Sequence, residues 1–328
     1  LMKKNILITG GLGLIGSSLS IALVQLGYKI TIIDNYLTGS INNIPKIYRK
    51  KINIVRASIL DEKILKKLIK KNYVIFHLAA FVGVKNILLN KISSIETNSI
   101  GTEKLLRFAS LYKKKVILAS TSEVFGTNFK KSLKEDDKFY LGNIQTFRWS
   151  YAAGKIIDEY LAKAYMIEKN LEVLIVRFFN TVGPKQISSY GMVIPRFVEA
   201  ALANKNINVY GSGRQTRTFL HVEDVVSALV MLMQKNHYKD VVHIGGTENI
   251  SIYNLALKIK KFTNSHSKIK KLNYKFAYSD SKEFSNLYED IPRRHPSISK
   301  LKKIIKFKPK FNLNEIIKDI IKHYKKIP

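Results

Sequence analysis

The chain has 328 residues, of which 46% are hydrophobic, so it can bury one large core or two smaller ones. It contains no cysteine, which excludes disulfide frameworks and thiolate zinc sites and predicts a reducing, cytoplasmic location. Its apolar runs are far shorter than the roughly 20 residues that a membrane span needs, and the first residues lack a secretory signal pattern. We therefore expect no membrane partner.

Lysine and arginine outnumber the acidic residues and give a formal net charge of +32. Such a charge ordinarily attracts nucleic acid or anionic lipid. The lysines are spread along the whole chain rather than gathered in one tract, which indicates a compositional property. We therefore expect no specific nucleic-acid partner.

Apolar runs of strand length alternate with longer segments of helical period, which is typical of a parallel sheet with crossover helices. The first predicted strand covers residues 5–9 and is followed by a helix from about Gly13 to a glycine end at Gly27. Further strands are predicted at 29–33, 52–55, 74–78, 116–119 and 173–177, with long helices at 95–111 and 151–168.

After Pro184 this alternation ends, and the sequence predicts a turn at 187–191, a helix to Leu202, a glycine turn at 211–213 and an amphipathic helix at 313–324. The pattern predicts an α/β fold: a Rossmann-type doubly wound parallel sheet with a smaller C-terminal α/β substrate-binding domain. We expect the dinucleotide-binding domain over 1–180, completed by about 219–244, and substrate binding mainly over 181–328. The cleft between them is the expected site.

A glycine-rich segment with Gly10, Gly13 and Gly16 lies directly between the first strand and the first helix, and Gly11, Gly13 and Gly16 also satisfy G-x-G-x-x-G. Glycine permits a tight turn and the close approach of a pyrophosphate, and the helix N-terminus offers free N–H groups. The placement predicts a dinucleotide site.

Asp34 ends the second strand, 18 residues after Gly16. A carboxylate there can accept both ribose hydroxyls but repels a 2′-phosphate, so NAD is favoured over NADP. His77 ends a later strand, and two interpretations remain open for it: a hydrogen-bonded core histidine or a cofactor contact.

Tyr151 and Lys155 are four residues apart, so both side chains project from one face if the segment is helical. A nearby ammonium group lowers the pKa of a phenol, and the phenolate can accept a hydroxyl proton as hydride leaves the same carbon for NAD. The spacing alone is a weak signal, and its weight comes from the upstream glycine motif and from Thr121 at the end of a strand.

The segment Thr121-Ser122-Glu123-Val124-Phe125-Gly126, followed by Tyr151 and Lys155, resembles the extended short-chain dehydrogenase/reductase family. Its nucleotide-sugar members carry Ser/Thr-x-x-Val-Tyr-Gly and then Tyr-x-x-x-Lys. The resemblance extends over the chain, through Asp34-Asn35, Asn98 with Gly101-Thr102, Arg177 to Pro184, and Gly211 to Phe219. It implies an NAD-dependent enzyme of nucleotide-sugar metabolism.

The resemblance also implies residue roles. Thr121 is expected to bond the reacting hydroxyl, Asn98 to lie near the nicotinamide, and Asn180 and Arg217 to contact the substrate diphosphate. The expected cofactor contacts are Gly10, Gly13, Leu14, Ile15, Gly16, Asp34, Asn35, Leu78, Ala79, Ala80, Asn98, Tyr151 and Lys155. Ser58 stands where the family commonly has an aspartate for the adenine.

Two further expectations follow from the resemblance. NAD is expected to be tightly bound and recycled, because the reduced cofactor must return its hydride. The enzyme is expected to be a homodimer that pairs the helices at 95–111 and 151–168 into a four-helix bundle. No metal is expected, since the histidines share no ligand spacing.

Enzymes of this group are expected to oxidise C4 of the hexose first, and three fates of the 4-keto sugar compete. A 4-epimerase needs no further acid or base, a 4,6-dehydratase needs a base at C5 and an acid at the 6-hydroxyl, and a decarboxylase acts on a β-keto acid. Glu123 exceeds an epimerase's needs, and Thr-Ser-Glu resembles UDP-glucuronate decarboxylases and GDP-mannose dehydratases alike. Ser122 stands where glucose 4,6-dehydratases have an aspartate.

Arg294, in Arg-His-Pro-Ser-Ile, resembles the arginine that UDP-glucuronate decarboxylases place near the departing carboxylate. The preferred prediction is therefore decarboxylation of UDP-glucuronate to UDP-xylose, with Thr121, Glu123, Tyr151, Lys155 and Arg294 as catalytic residues. The alternatives are a UDP-glucose 4-epimerase, which the segment at 190–197 also resembles, a 4,6-dehydratase, and a dinucleotide-binding sensor or scaffold. Glu123 and Arg294 also have the simpler interpretation of solvated surface charges.

Overall fold

The computed structural model describes residues 4–188, 192–274 and 291–326. In chain order its strands are β1 (Asn5–Thr9), β2 (Lys29–Asp34), β3 (Ile52–Arg56), β4 (Val74–His77), β5 (Lys115–Thr121), β6 (Glu172–Phe178), β7 (Thr181–Val182), β8 (Ile207–Tyr210), β9 (Thr216–Thr218), β10 (Leu220–His221), β11 (Asp240–Ile244), β12 (Asn249–Ser251), β13 (Ile269–Leu272) and β14 (Arg293–Arg294).

The α-helices are α1 (Leu14–Gln25), α2 (Lys46–Arg49), α3 (Glu62–Lys71), α4 (Val84–Leu89), α5 (Lys91–Ile95), α6 (Gly101–Leu111), α7 (Trp149–Glu168), α8 (Val193–Leu202), α9 (Val222–Gln234), α10 (Ile252–Thr263), α11 (Ser299–Ile305) and α12 (Leu313–Tyr324). Short 3₁₀ turns occupy Ile41–Asn43 and Ser122–Phe125, and a π-helical turn occupies Glu96–Ile100.

Seven parallel strands form the main sheet in the order β11-β6-β5-β4-β1-β2-β3. The chain moves outward from β1 to β3 and then crosses to β4 on the other side of β1. This reversal is the topological switch point at which such sheets bind ligands. The predicted Rossmann-type α/β fold is confirmed.

Helices cover both faces of the main sheet. Helices α1 and α9 pack on one face, and α3, α6 and α7 pack on the other. Residues such as Ile6, Leu7 and Ile8 of β1 are fully buried, since a parallel strand between two helical layers is covered on both sides. That burial explains why the strands read as continuous apolar runs.

The C-terminal part adds a third core, formed by α8, α10 and α12 around β8. The chain returns to the main sheet through β10, α9 and β11, so residues of the 220–244 region complete the sheet. A small three-stranded sheet places β14 beside β9, with Arg294 in register with Arg217.

The predicted elements agree with the structure apart from their ends and one helix. Strand β2 extends through Asp34 and β5 through Thr121, so both side chains stand at the carboxyl edge of the sheet. The helix predicted at 95–111 begins earlier, at Lys91, and contains the π turn, which adds one residue to a helical turn. The turn predicted at 187–191 lies partly outside the described residues. Across the described residues, the helices are all too short or too polar to cross a membrane.

Candidate active site

A cavity of about 700 Å³ opens at the carboxyl ends of strands β1, β2, β4, β5 and β6. Residues of α8, β9 and β14 close its far side. Both halves of the chain therefore contribute to one site.

The structure brings nearly all the predicted site residues to this cavity. Those that line it are Gly10, Gly13, Leu14, Ile15, Gly16, Asp34, Asn35, Leu78, Ala79, Ala80, Thr121, Glu123, Tyr151, Lys155, Asn180, Arg217 and Arg294. Asn98 is placed differently and is described below.

The glycine turn between β1 and α1 is sterically determined. Gly10 has φ +67°, and a Cβ there would lie 2.8 Å from the Ala79 backbone. A Cβ on Gly16 would lie 2.4 Å from the Gly10 carbonyl oxygen. Gly13 precedes the helix without a side chain, so the first-turn N–H groups of α1 are not capped by it. Such a turn leaves room and donors for a pyrophosphate.

Asp34 is held rigidly at the end of β2. Its Oδ2 accepts from the Leu12 amide at 2.9 Å and its Oδ1 from the Tyr36 amide at 2.8 Å, and the residue is 7% exposed. Each carboxylate oxygen retains a further lone pair toward the cavity. The carboxylate is therefore held in one orientation with acceptor capacity to spare.

His77 is a hydrogen-bonded core residue. Its Nδ1 lies 2.7 Å from the Thr9 hydroxyl and its Nε2 lies 3.1 Å from the Thr102 hydroxyl. Burial and, to a smaller degree, the charge of Lys155 lower the pKa of His77 to about 3, so the ring is neutral. Of the two interpretations that the sequence left open, the structure favours the core histidine.

Asn98 lies behind the cavity wall rather than in it. Its Oδ1 accepts from the Phe81 amide at 2.8 Å, and its Nδ2 faces the Phe81 carbonyl oxygen at 3.4 Å. The π turn carries Asn98 to this position. The side chain of Asn98 thus bonds to the Phe81 backbone beside the cavity, and its expected cofactor contact stays a prediction.

Tyr151 and Lys155 project from one face of α7 into the cavity, as predicted. Lys155 is 1% exposed, and its Nζ donates to Asp158 Oδ2 at 3.0 Å. Tyr151 shares a side-chain hydrogen bond with Thr121. Phenol, threonine hydroxyl and ammonium thus meet at one place.

The pKa of Tyr151 is raised, where the sequence predicted that Lys155 would lower it. Burial is the main cause, and the carboxylates of Glu123 and Asp158 add to it, while the Thr121 hydrogen bond acts in the opposite direction. The Lys155 ammonium is paired with the buried Asp158 carboxylate, whose own negative charge is one of the groups that raise the pKa of Tyr151. The phenol therefore holds its proton in this state of the protein.

Glu123 lies between two arginines. Its Oε1 is 2.8 Å from Arg294 Nη1, and its Oε2 is 3.3 Å from Arg148 Nη2. The side chains of Glu123, Arg148 and Arg294 are 18%, 4% and 11% exposed, so neither Glu123 nor Arg294 is a solvated surface charge. The three side chains carry one net positive charge beside Tyr151.

The two arginines also fix the ionisation of Glu123. Burial alone would raise the pKa of this carboxyl, but Arg294 and Arg148 outweigh it and lower the pKa to about 2. The Nε of Arg294 is buried and has no hydrogen-bond partner among the described residues. A buried donor of this kind calls for an explanation, and a bound anion or carbonyl supplies one.

Asn180 and Arg217 line the opposite wall. Asn180 Nδ2 donates to the Thr218 carbonyl at 2.8 Å, and Arg217 Nη1 donates to the Thr216 carbonyl at 2.9 Å. Both residues are tied to strand β9, which orients them toward the middle of the cavity.

Sequence reasoning assigned no role to several lining residues, among them Arg148 and Arg196. Arg148 stands three residues before Tyr151 at the start of α7, and that spacing could have indicated a shared face. Arg196 packs 4.4 Å from the Tyr210 ring, and we find no sequence signal that predicts this contact.

The model of the GDP-mannose 4,6 dehydratase family matches residues 7–320. The chain belongs to this family. The predicted membership of the extended short-chain dehydrogenases/reductases is thereby confirmed.

Individual relatives match nearly the whole length of this chain. The chain is 39% identical over 327 residues to the UDP-N-acetyl-alpha-D-glucosaminuronate decarboxylase of Bacillus cytotoxicus, with 99% of each chain covered. It is 33% identical over 326 residues to UDP-glucuronic acid decarboxylase 1 of Xenopus tropicalis, covering 99% of this chain and 73% of that one.

A solved structure is similar as well. The UDP-glucuronic acid 4-epimerase of Bacillus cereus, in complex with NAD, superimposes with a TM-score of 0.83 at 25% identity. The match covers 98% of this chain and 99% of that chain. Decarboxylases and an epimerase thus share this fold.

Proposed function

We propose that this chain is an NAD-dependent decarboxylase of a UDP-linked hexuronate, with conversion of UDP-glucuronate to UDP-xylose as the preferred reaction. The observation that carries the proposal is Glu123 paired with Arg148 and Arg294 beside Tyr151. Oxidation and reduction at C4 need Thr121, Tyr151 and Lys155 only. The charged group beyond them fits a reaction at a carboxylated C5.

The residues at the β1–α1 turn fit NAD. The spaces that Cβ atoms on Gly10 and Gly16 would fill, and the fixed Asp34 carboxylate, suit a pyrophosphate and a ribose without a 2′-phosphate. Bound NAD supplies a hydride acceptor for C4 of the sugar and returns the hydride later. We assign its binding to 1–180 with 219–244, and nucleotide-sugar binding mainly to 181–328.

Tyr151 and Thr121 act at the C4 hydroxyl. Thr121 orients that hydroxyl by a hydrogen bond, and Tyr151, once its phenol has lost its proton, accepts the hydroxyl proton as C4 is oxidised. Once C4 is a ketone, Tyr151 and Thr121 offer hydrogen bonds to its oxygen. Those bonds stabilise negative charge on that oxygen, which develops as carbon dioxide leaves C5.

Arg294 and Arg148 act near the C5 carboxylate. The unpartnered Nε of Arg294 offers a donor to the substrate, while its Nη1 remains bonded to Glu123. Glu123 is ionised at neutral pH because its pKa is about 2, so it orients the arginines as an acceptor and does not serve as an acid. This arrangement is superfluous for an epimerase.

The two decarboxylase relatives act on hexuronates that differ at C2, one with an acetamido group and one with a hydroxyl. Both substrates carry the C5 carboxylate that the arginines suit. Charge complementarity therefore does not distinguish the two C2 substituents, and a comparison of both hexuronates as substrates does.

The test is incubation of the purified protein with UDP-glucuronate, UDP-N-acetylglucosaminuronate or UDP-glucose, with and without added NAD, followed by proton NMR. We expect carbon dioxide release and a pentose product from a hexuronate. Epimerised sugar without loss of carbon dioxide would make the protein a 4-epimerase and overturn the proposal.

Neighbouring arginines provide a matched pair of variants. Arg294→Gln removes the buried guanidinium, whereas Arg293→Gln removes the exposed one next to it on β14. We expect decarboxylation to fall about 100-fold in the first variant and to stay near wild type in the second. Equal loss in both would indicate a general charge effect.

We further propose that the protein is a homodimer. Helix α7 exposes Ile157, Tyr160 and Ile167, which with Ala164 follow the 3-4-3 spacing of a helical seam. Ile92 and Ile95 of α5 are also exposed. These apolar faces lie on the helices expected to form the four-helix bundle, and a second copy would cover them.

Light scattering at micromolar concentration tests the dimer. We expect twice the mass of the chain for the wild type and a monomer for Ile157→Glu. The exposed Ile47 of α2, changed to Glu, serves as the control. A monomeric wild type would rule out the dimer.

A further inference from the structure

Next to the catalytic tyrosine lies a buried ion pair between Lys155, which the proposed reaction uses, and Asp158, to which that reaction assigns no role. Asp158 is fully buried on α7, and its Oδ2 accepts from the Lys155 ammonium at 3.0 Å, while Lys155 is itself 1% exposed. A buried carboxylate is costly unless it is paired and hydrogen-bonded. Its position one helical turn from a cavity-lining ammonium invites a functional explanation.

Asp158 lies beside a chain of buried polar groups formed by Thr102, His77 and Thr9. The Thr102 hydroxyl faces Asp158 and donates to the Asn98 carbonyl at 2.6 Å. Because Thr102 donates, it accepts from the His77 Nε2–H, and the Nδ1 of His77 then accepts from the Thr9 hydroxyl. Thr9 in turn accepts from the Ala79 amide at 3.1 Å, in the cofactor edge of the cavity.

We propose that Asp158 is a positioning residue for the C4 oxidation: its buried carboxylate fixes the Lys155 ammonium and, through that charge, sets the pH range in which Tyr151 works. The inference rests on the proposed nucleotide-sugar chemistry but not on the fate of the 4-keto sugar. Asp158 does not line the cavity, whereas Lys155 does, so Asp158 acts through Lys155.

The charges around Lys155 and Asp158 decide in which direction the pH profile of C4 oxidation moves when Asp158 is replaced. The Asp158 carboxylate accepts from the Lys155 ammonium, and its negative charge opposes ionisation of Tyr151. The other titratable or charged groups that face the pair or Tyr151 are Glu159 with Arg177, His77, and Glu123 with Arg148 and Arg294. Glu159 is bonded to Arg177, and His77 is neutral. Asp158 is therefore the carboxylate that balances the positive charge of Lys155.

The test is Asp158→Asn, which keeps the shape and removes the charge. The rate of C4 oxidation is followed as reduced cofactor in single turnovers across pH, because this step is common to decarboxylation and epimerisation. The acidic limb of the pH profile, which reports ionisation of Tyr151, should move to lower pH by about one unit, since Tyr151 loses its proton more readily without the Asp158 charge. The maximal rate should fall about tenfold or more because Lys155 is less well placed.

Two controls separate charge from geometry. Asp158→Glu keeps the charge, so the acidic limb of its pH profile should stay at the wild-type pH, whatever its maximal rate of C4 oxidation. Glu168→Gln removes an exposed carboxylate from the same helix and should change nothing. If Asp158→Asn does not fold, Asp158→Ser leaves room for a water molecule beside Lys155 and should show the same displacement.

If a folded Asp158→Asn or Asp158→Ser variant has the same acidic limb in its pH profile as wild type, the inference is wrong, even where the rate falls. If the acidic limb is displaced but the wild-type product is an epimerised sugar, the role of Asp158 is supported and the proposed decarboxylation is wrong. If the product is a pentose but the acidic limb is not displaced, the decarboxylation is supported and the role of Asp158 is wrong.

Discussion

The two ends of the cavity are built by different means. The nucleotide end depends on backbone shape within about one β-α-β unit: a glycine turn, a helix N-terminus and Asp34 held by two amides. The reacting end depends on charged side chains from distant segments, namely Glu123, Arg148 and Arg294.

This difference separates binding from chemistry. Changes at the nucleotide end should alter how tightly NAD is held and leave turnover at saturating NAD nearly intact. Changes at the reacting end should alter turnover and leave NAD retention unchanged. The variants below test that division, beginning with the largest expected effect.

Tyr151→Phe should lower turnover about 1,000-fold, because it removes the hydroxyl that accepts and returns the C4 proton. NAD retained through purification should match wild type. The control is Tyr160→Phe, a substitution at an exposed position of the same helix. Turnover within tenfold of wild type would show that another group takes the C4 proton.

Glu123→Gln should slow product formation about 100-fold while reduced cofactor still accumulates during turnover, because C4 oxidation does not need Glu123. The matched control is Glu135→Gln, whose carboxylate bonds to the His243 amide away from the cavity. Equal slowing of C4 oxidation and product formation would place Glu123 in the redox step.

The same residue should give a pH-dependent contribution to stability. The pKa of Glu123 is about 2 in the folded chain against an ordinary value of 4.5, so the ionised group stabilises the fold above pH 4.5 and this contribution disappears as the pH falls toward 2. Its size is on the order of 3 kcal/mol. Thermal unfolding of wild type and Glu123→Gln should therefore differ by a constant amount above pH 5 and converge below it. A gap that is undiminished at pH 3 would contradict the assigned ionisation.

How far each end could be predicted from the sequence follows from the same difference. The glycine turn, Asp34 and the strand ends that carry Thr121 are encoded in short segments, because sterics and apolar period act locally. They were predicted within one or two residues. Tyr151 and Lys155 were also predicted, since helical spacing fixes their common face.

The charged contacts are set by tertiary packing, and the sequence did not reveal them. Arg294 joins Glu123 only because β14 pairs with β9. The pairing of Lys155 with Asp158, and hence the raised pKa of Tyr151, depends on how deeply α7 is buried. Asn98 bonds to the Phe81 backbone from within a π turn, and spacing alone predicts no such turn.

Asp34→Asn should weaken NAD binding about tenfold, since the amide keeps one acceptor oxygen and loses the charge. Discrimination against NADP should fall with it, because the repulsion of a 2′-phosphate is lost. Calorimetric titration of both cofactors measures each effect. Asp61→Asn, which changes the cap of α3, should leave both affinities as they are. Weaker turnover at saturating NAD would break the division between the two ends.

Ser58→Asp should have the smallest effect and the opposite sign. Ser58 lines the cavity, and its Oγ accepts from the Leu60 amide at 3.1 Å. An aspartate can keep that turn bond and present a second oxygen to the adenine amino group, the contact that the family resemblance implies at this position. One such hydrogen bond, about 1 kcal/mol, should tighten NAD binding about fivefold without changing turnover. Ser58→Asn, similar in size but uncharged, is the control, and equal affinities for all three proteins would mean that the adenine does not reach this residue.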